Sequence, residues 1–225
     1  MSSSDQANQA CIMPASHGMA REGYPFLLAA LFITAAAFLF GGPIAGGISV
    51  VIPAFVANFF RDPNRTTPEG AGLVVSPADG KVLSIGEVDE TRYLNRRLKR
   101  ICIFMSVTNV HVNRIPVSGR VKGVRYNPGK FLIGFAEKAS LDNEQNAVII
   151  ERSPGSEVLF VQIAGFVARR IVCYLTGGEQ VATGERFGLI RFGSRVDVYL
   201  PLEADVLVQK GQRVTAGETV LGRLT

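Results

Sequence analysis

A run of 38 successive residues without a charged side chain, residues 23–60, constrains the fold of this chain more than any other feature. As one helix it would be about 57 Å long, almost twice the hydrocarbon thickness of a bilayer. Glycine and proline interrupt the run at positions 41–43, 46 and 47. The pattern therefore predicts two short apolar helices, near residues 24–40 and 44–60, behind a polar tail of residues 1–22. Each is about long enough to cross a membrane, so a hairpin and two tight spans are both open.

Two other interpretations of this run are weaker. A buried hairpin inside a soluble domain is disfavoured because so long a charge-free stretch is rare in a small domain. A signal peptide is disfavoured because the run is too long, Arg21 is the only clear positive charge before it, and no cleavage site follows. We therefore expect residues 23–60 to be a membrane anchor.

The net charge of +5 lies entirely beyond the anchor, because the acidic and basic residues of positions 1–61 balance. Basic residues that follow a membrane span favour the cytoplasmic side, and they attract anionic lipids. We therefore expect a protein of the inner cell membrane, with its folded domain in the cytoplasm and an anionic membrane surface as a partner. Nucleic acid is not expected, since no zinc, recognition-helix or stacking motif accompanies the basic cluster at residues 92–100.

Residues 61–225 are predicted to form one domain that is mainly β, a β-rich α+β fold. From residue 70 onwards, short apolar runs alternate with turns rich in Gly, Pro and Asp, and few segments have a helical period. The pattern Gly-x-x-Val-x-x-Gly-Glu occurs at residues 178–185 and again 33 positions later, at residues 211–218. This repeat resembles the barrel-sandwich fold of lipoyl and biotinyl carrier domains, although no lysine stands at a carrier position.

The three cysteines are Cys11, Cys102 and Cys173. Their number is odd and no Cys-x-x-Cys is present, so neither a disulfide framework nor a metal site is expected. Cys102 and Cys173 lie in apolar runs and are expected to be buried small hydrophobes, which agrees with a reducing compartment.

The dipeptide Gly193-Ser194 has an unusual chemical option. The serine hydroxyl can attack the glycine carbonyl and convert the peptide bond to an ester. Elimination of the ester leaves dehydroalanine, which hydrolyses to a pyruvoyl group, so the chain would make its own electrophilic cofactor. Most Gly-Ser pairs are ordinary turns, so the pair alone does not decide between self-cleavage and a turn.

Segments elsewhere in the chain give this pair a context. In order, they are FFRDPNR (59–65), SPADGKV (76–82), MSVTNVHVNR (105–114) leading into PVSG (116–119), and FGS (192–194), with KAS (138–140) and NEQN (143–146) between them. Together they resemble the phosphatidylserine decarboxylase family in its short, archaeal-type form, from about Tyr24 to the C-terminus. Arg195 departs from the longer members, which carry Leu-Gly-Ser-Thr at the cleavage site.

The resemblance implies a pyruvoyl-dependent enzyme of phospholipid biosynthesis. It would convert phosphatidylserine to phosphatidylethanolamine and CO2 through a Schiff base on the group formed from Ser194, with no metal. Cleavage between Gly193 and Ser194 would divide the chain into residues 1–193 and 194–225, which would stay together as a heterodimer. Assembly of further copies into a homo-oligomer is open.

Self-cleavage needs a base, and histidine is the usual choice near neutral pH. His111 is the only histidine in the predicted domain, because His17 lies in the tail. The resemblance implies that Asp79, His111 and Ser194 act as a triad, in which Asp79 holds the imidazole. It also makes His111 the expected proton donor after CO2 leaves. Without the resemblance, His111 would be interpreted as a structural histidine and Asp79 as a turn residue.

Cationic side chains should hold the phosphate of the headgroup. The candidates are Arg114, Lys130 and Lys138, although most Lys and Arg residues serve only solubility. Two other functions stay open. One is a membrane-anchored adaptor with a lipoyl-like domain, which would need no cleavage. The other is a pyruvoyl enzyme for a soluble amino acid, which the anchor disfavours.

Overall fold

The computed structural model describes residues 18–129, 143–153, 156–165, 170–191 and 193–224. A helical hairpin forms its N-terminal part. One 3-10 turn (Arg21–Gly23) leads into α1 (Tyr24–Ser49), and α2 (Val51–Phe59) follows after a single residue.

Gly42 divides α1 into two arms that run in opposite directions. Its φ of 76° and ψ of −177° are not helical and suit glycine, which has no Cβ. Pro43 follows, and its fixed φ favours the first turn of a new helix. The first arm, residues 24–41, is about 27 Å long. The Oγ1 of Thr34 in this arm donates to the carbonyl oxygen of Ser49 at 3.2 Å, so the two arms pack side by side.

The two ends of the hairpin meet. The amide of Ala20 donates to the carbonyl oxygen of Phe60 at 2.8 Å, and the amide of Asp62 donates to that of Gly18 at 2.8 Å. Near the tip the side chain of Phe40 is 90% exposed. Among the described residues, one helix is long and apolar enough to cross a membrane. The hairpin is therefore a candidate membrane anchor whose two ends lie on the same side.

The domain that follows is built from strands. They are β1 (Leu73–Val75), β2 (Gly80–Glu90), β3 (Arg96–Met105), β4 (Val112–Arg114), β5 (Gly119–Asn127), β6 (Gln145–Ser153), β7 (Ser156–Ala164), β8 (Ile171–Cys173), β9 (Gln180–Val181), β10 (Arg186–Ile190), β11 (Ser194–Leu200), β12 (Asp205–Val206), β13 (Arg213–Val214) and β14 (Val220–Arg223). An antiparallel sheet has the order β13-β2-β3-β11-β7-β6-β5-β9, and two smaller sheets have the orders β1-β14-β12 and β4-β10-β8. The prediction of a mainly β fold behind an apolar helical segment is confirmed.

Strand β11 lies in the middle of the eight-stranded sheet, between β3 and β7. The side chains of Val196, Val198 and Leu200 enter the main core. On the opposite face, Tyr199 packs against a second apolar cluster. Because both faces and both edges are covered, the strand that begins at Ser194 is fixed along its length.

The sequence repeat corresponds to a repeated structure. Strand β9 pairs with the start of β5, where the amide of Gly178 donates to the carbonyl of Val121 at 2.7 Å. Strand β13 pairs with the start of β2, where Gly211 donates to Val82 at 2.8 Å. Each receiving strand begins with a Pro-x-x-Gly turn, at residues 77–80 and 116–119. These two related units agree with the predicted barrel-sandwich elements.

The segment after the hairpin is clamped to the β domain by buried charges. The carboxylate of Asp62 accepts from the Nε of Arg186 at 2.6 and 2.8 Å and lies 3.5 Å from the Nη2 of Arg114. Arg114 also donates to the carbonyls of Gly184 and Pro63, both at 2.9 Å. Buried charges are tolerated only where they are paired and hydrogen-bonded. This network therefore fixes the end of the hairpin against strands β4 and β10.

Candidate active site

Ser194 is completely buried at the first position of β11. In the register of the sheet it lies opposite Met105 on β3 and Ala164 on β7. Its Oγ is 3.4 Å from the Sδ of Met105, which is a weak acceptor. Within the described parts of the chain, the hydroxyl has no stronger partner and is free to be redirected towards a reacting atom.

Gly193, on the other side of the candidate cleavage site, has a left-handed backbone with φ of 47°. A Cβ built on this residue would meet no atom within 4 Å. Glycine is therefore favoured here by its backbone conformation and not by a lack of space. An ordinary residue held in this conformation costs about 1–2 kcal/mol.

A buried chain of amide side chains leads away from Ser194 and Met105. The Nδ2 of Asn113 lies 3.7 Å from the Sδ of Met105, and the Nε2 of Gln162 donates to the Oδ1 of Asn113 at 2.9 Å. The Nδ2 of Asn146 then donates to the Oε1 of Gln162 at 3.0 Å. Connected polar groups of this kind rigidify a core. Sequence reasoning did not select Asn113 or Gln162, although an amide within an apolar strand such as β7 is a signal that could have found Gln162.

His111 lies just before β4 and is almost fully buried. Its Nδ1 is 2.9 Å from the carbonyl oxygen of Asn109. This contact assigns the proton to Nδ1 and the lone pair to Nε2. The buried Nε2 has no hydrogen-bond partner among the described residues. The ring of Phe59, at the end of α2, stacks on the imidazole with 4.0 Å between ring centroids.

The surroundings of His111 keep its imidazole neutral. Burial lowers the pKa of His111 to about 4; the Asn109 carbonyl partly opposes this effect, and the positive charge of Arg61 adds to it. At neutral pH the ring therefore carries no net charge. Its Nε2 is able to accept a proton but does not have one to give.

The backbone brings His111 beside the segment that leads to Ser194. The amide of Ile190, the last residue of β10, donates to the carbonyl of His111 at 3.3 Å. The chain then reaches Ser194 within four residues. In the described structure no hydrogen bond joins the two side chains, so the structure gives proximity of their segments and not a formed Ser–His pair.

Asp79 is engaged with groups other than His111. Its Oδ1 accepts from the amide of Ala216 at 2.7 Å, and its Oδ2 accepts from the Nη2 of Arg65 at 3.0 Å. Neither ring nitrogen of His111 bonds to it among the described contacts. The expected hydrogen bond between Asp79 and the imidazole is therefore not formed here. The carboxylate already binds Arg65, in the segment after the hairpin, and Ala216, in the loop before β14.

The internal repeat separates two roles for Asp79. At the equivalent position of the second unit, the Oγ of Ser118 accepts from the amide of Thr183 at 2.8 Å. A serine therefore suffices to anchor the turn. What Asp79 adds is a negative charge and its ion pair with Arg65.

Arg114, the first candidate for a phosphate ligand, is buried in the network around Asp62. Burial, and then the nearby charge of Arg186, lower the pKa of Arg114 to about 10. Its guanidinium is occupied by protein acceptors, so Arg114 is not available to a headgroup in this structure. The other two candidates, Lys130 and Lys138, lie outside the described residues.

Arg195 is paired two positions further along the same strand. Its Nε is 2.7 Å from Oδ1 of Asp197 and its Nη2 is 2.8 Å from Oδ2. Residues two apart on a strand share a face, and these side chains are only 4% and 0% exposed. Arg195, the residue that departs from the longer family members, is thus paired with the buried carboxylate of Asp197.

The two thiols among the described residues, Cys102 and Cys173, do not offer an alternative reactive group. Burial, and then the charge of Asp197, raise the pKa of Cys102 to about 11, and burial also raises the pKa of Cys173. A thiol of raised pKa is a poor nucleophile at neutral pH. Across the described residues, His, Cys, Asp and Glu form no group that could hold a metal ion.

Comparison with known proteins identifies the family of this chain. A model of the family described as phosphatidylserine decarboxylase matches residues 52–222. The chain is 48% identical over 206 residues to the phosphatidylserine decarboxylase proenzyme of Geotalea uraniireducens, which covers 92% of this chain and 96% of the relative. It is 51% identical over 204 residues to the proenzyme of the same name from Xanthobacter autotrophicus, and this match covers 89% of this chain and 87% of the relative. On the strength of these matches, which extend over most of each protein, the chain belongs to the phosphatidylserine decarboxylase family.

Proposed function

We propose that this chain is a membrane-anchored, self-processing decarboxylase that converts phosphatidylserine to phosphatidylethanolamine and CO2. Membership of the family makes it a decarboxylase, and its relatives are named as proenzymes. The observation that carries the finer proposal is the position of Ser194. It is a fully buried serine behind a left-handed glycine, at the start of the central strand.

Cleavage begins with attack of the Ser194 Oγ on the carbonyl carbon of Gly193, while the hydroxyl proton passes to a base. The peptide C–N bond breaks, and the product is an ester with a free amine on residue 194. Removal of the Cα proton of residue 194 then expels the carboxylate of residues 1–193 and leaves dehydroalanine. Tautomerisation and hydrolysis by one water molecule release ammonia and leave the pyruvoyl group on residues 194–225.

His111 fits the role of the base. Its Nε2 carries a lone pair without a partner, and its low pKa keeps it unprotonated at neutral pH. The hydrogen bond from Ile190 holds the backbone of His111 beside the reacting segment. Catalytic hydrogen bonds are often absent from resting structures and form in the reacting complex, so the missing bond to Ser194 does not exclude this role.

The position of residue 194 fits the modified group. After the cut, β3 and β7 still hold β11 from both sides, so the new terminus stays in place. A pyruvoyl group at this terminus supplies a ketone that condenses with an amine and accepts the electron pair released as CO2 leaves. Met105 and Ala164 flank the position in the sheet, and it is completely buried. The Nε2 of His111, once it has taken up a proton, is the group that returns one to the product.

The hairpin and the charge of the chain support a location at the inner membrane, with the β domain in the cytoplasm. Both ends of the hairpin lie on one side, and the residues beyond Arg61 carry the whole net charge of +5. Such a domain is drawn to anionic lipid. Residues 1–193 and 194–225 remain associated as a heterodimer at that surface.

The other functions are less well supported. The membrane-anchored adaptor has no support, because the relatives that match most of the chain are named as decarboxylase proenzymes. A soluble amino acid as substrate is disfavoured by the exposed apolar arms next to His111.

Mass spectrometry of the purified full-length protein under denaturing conditions tests the proposal. We expect two fragments that meet between residues 193 and 194, the smaller with 32 residues and a pyruvoyl terminus. The matched variant Ser194→Ala should stay whole and release no CO2 from phosphatidylserine. A single uncleaved wild-type chain that nevertheless decarboxylates phosphatidylserine would exclude the self-processing mechanism.

A further inference from the structure

A polar recess opens beside the turn that precedes His111. Its cavity volume is about 270 Å³, and its lining includes Lys81, Arg213, Phe104, Ser106, Thr108 and Asn109. Two of these side chains are cationic, and no described lining residue is a carboxylate. The recess is thus large enough for a small headgroup and carries a charge suited to an anion.

Lys81 and Arg213 lie opposite each other on two neighbouring strands. They are register partners in the β2–β13 pair, and both are exposed. Like charges directly opposite each other destabilise a sheet. Within the described residues, neither side chain forms an ion pair or a hydrogen bond. Arg97, another exposed cation of the same sheet, is by contrast paired with Glu87 at 3.2 Å. A bound anion between Lys81 and Arg213 would remove the repulsion.

The floor of the recess is a preformed turn. The Oδ1 of Asn109 accepts from the amide of Ser106 at 2.8 Å and from its Oγ at 2.7 Å. The Oγ atoms of Ser106 and Thr108 share a further hydrogen bond of 2.9 Å. These bonds occupy the Asn109 oxygen and leave its amide nitrogen as a donor. A rigid turn that keeps this donor available binds an anion at little cost in conformational entropy.

The same turn joins the recess to the membrane side and to the reacting residues. The Nη2 of Arg61, the first residue after the apolar hairpin, donates to the carbonyl of Thr108 at 2.9 Å. The carbonyl of Asn109 is the partner of the His111 Nδ1. Ser106 follows Met105, which is the register partner of Ser194. The turn that lines the recess is therefore bonded to the end of the hairpin and follows directly after the register partner of Ser194.

We infer that Lys81 and Arg213 bind the phosphodiester of the phospholipid substrate and so present its serine headgroup to residue 194. This assignment rests on the proposed function and gives it a binding site for the phosphate. It also gives the two cations a role that Arg114 does not have, since Arg114 is occupied by Asp62. Charge-assisted hydrogen bonds to phosphate are among the stronger polar contacts in proteins.

Binding can be measured without self-cleavage, on the full-length Ser194→Ala protein in detergent. The probes are the water-soluble glycerophospho-L-serine and inorganic phosphate, followed by titration calorimetry. We expect glycerophosphoserine to bind, and Lys81→Gln and Arg213→Gln each to weaken it about ten-fold. Arg97→Gln is the matched control, because it removes an equal charge from the same sheet outside the recess. It should leave the affinity unchanged.

The processed enzyme provides a second measurement. With glycerophosphoserine as substrate, Lys81→Gln and Arg213→Gln should raise KM about ten-fold and leave kcat within about two-fold, the pattern of lost uniform binding. Binding of inorganic phosphate alone would overturn the assignment to a lipid. Unchanged affinity for glycerophosphoserine, with only weaker attachment to anionic vesicles, would also overturn it in favour of general surface attraction. A wild-type protein that binds glycerophosphoserine but is never cleaved would instead contradict the proposed function.

Discussion

The ring of Phe59 lies 4.0 Å from the ring of His111, with an angle of 30° between their planes. Phe59 is the last residue of α2, so the end of the candidate anchor covers the only histidine of the β domain. The aromatic contact contributes to the burial that lowers the pKa of His111. The end of the hairpin therefore contributes to keeping the proposed base unprotonated.

Replacement of Phe59 should shift the pH dependence of self-cleavage. In the wild-type protein, the pKa of about 4 keeps His111 unprotonated above roughly pH 5, so the cleavage rate should be flat from there to neutral pH. Phe59→Ala admits water, and the pKa should rise towards the ordinary value of 6.5. Because the base works only when it is unprotonated, the rate should now fall below about pH 6.5. Cleavage rates on freshly refolded protein between pH 4 and 8 measure this.

Phe55→Ala is the control for that experiment. Phe55 packs on Phe59 at a centroid distance of 6.3 Å and is exposed. It should leave the pH profile as in the wild type. If Phe59→Ala also retains the wild-type profile, His111 is not the titrating base.

Substitution of Gly193 should slow cleavage in the order of left-handed preference. Asn tolerates a positive φ better than Ala, and β-branched Val tolerates it least. No atom lies near a Cβ at this position, so the fold should be intact in all three variants. We expect Ala to cleave about five- to thirty-fold more slowly than Gly, with Asn faster than Ala and Val slower. Equal rates for Asn and Val would show that the backbone conformation at residue 193 does not matter.

A series at Asp79 separates turn anchoring from charge. Asp79→Ser keeps an acceptor for the amide of Ala216, as Ser118 does in the related unit. Both variants lose the ion pair with Arg65, so we expect Asp79→Ala to be less stable than Asp79→Ser by about 1 kcal/mol, the equivalent of one hydrogen bond. If the carboxylate also supports His111, both variants should cleave slowly despite their different stabilities. Cleavage at the wild-type rate in Asp79→Ser would limit Asp79 to a structural role.

The ion pair after the cleavage site should be costly to break from one side. Asp197→Ala removes the buried carboxylate that is ion-paired with Arg195, and removing one partner of a buried pair costs about 3–5 kcal/mol. For a chain of this size we expect the melting temperature of the uncleaved Ser194→Ala form to fall by about 10 °C. The double variant Arg195→Met/Asp197→Leu removes both charges and should melt much closer to the parent. A double variant as unstable as Asp197→Ala would show that the lost ion pair is not the cause of the instability.

Much of the fold could be predicted from local sequence patterns. The alternation of short apolar runs and turns predicted the β domain, and the charge-free run with its central glycines predicted an apolar helical segment, which breaks at Gly42. The repeat at residues 178–185 and 211–218 predicted barrel-sandwich elements, because equal turn chemistry at equal spacing produces equal units. The sequence analysis did not recognise that the turns before β2 and β5, residues 77–80 and 116–119, repeat in the same way. Asp79 and Ser118, at equivalent positions of these turns, differ in charge.

The site was less predictable because its contacts join residues distant in sequence. Nothing near Asp79 indicates that Arg65 and Ala216 occupy its carboxylate, and the contact of Phe59 with His111 depends on how the hairpin docks. Arg114 appeared to be a free cation, yet Asp62, 52 positions away, binds it. The pair of Arg195 and Asp197 was readable in principle, since the strand alternation puts them on one face. The recess between Lys81 and Arg213 exists only through the β2–β13 pairing.

The place of β11 between β3 and β7 has a consequence for the lifetime of each molecule. A cofactor that arrives by diffusion is replaced when it is damaged, but here the reactive group would be part of a strand enclosed by its neighbours. Under the proposed cleavage, the 32-residue piece cannot be exchanged for a fresh one unless the sheet opens. A molecule whose ketone is reduced or otherwise consumed is then spent, and the cell recovers that activity only by synthesising a new chain.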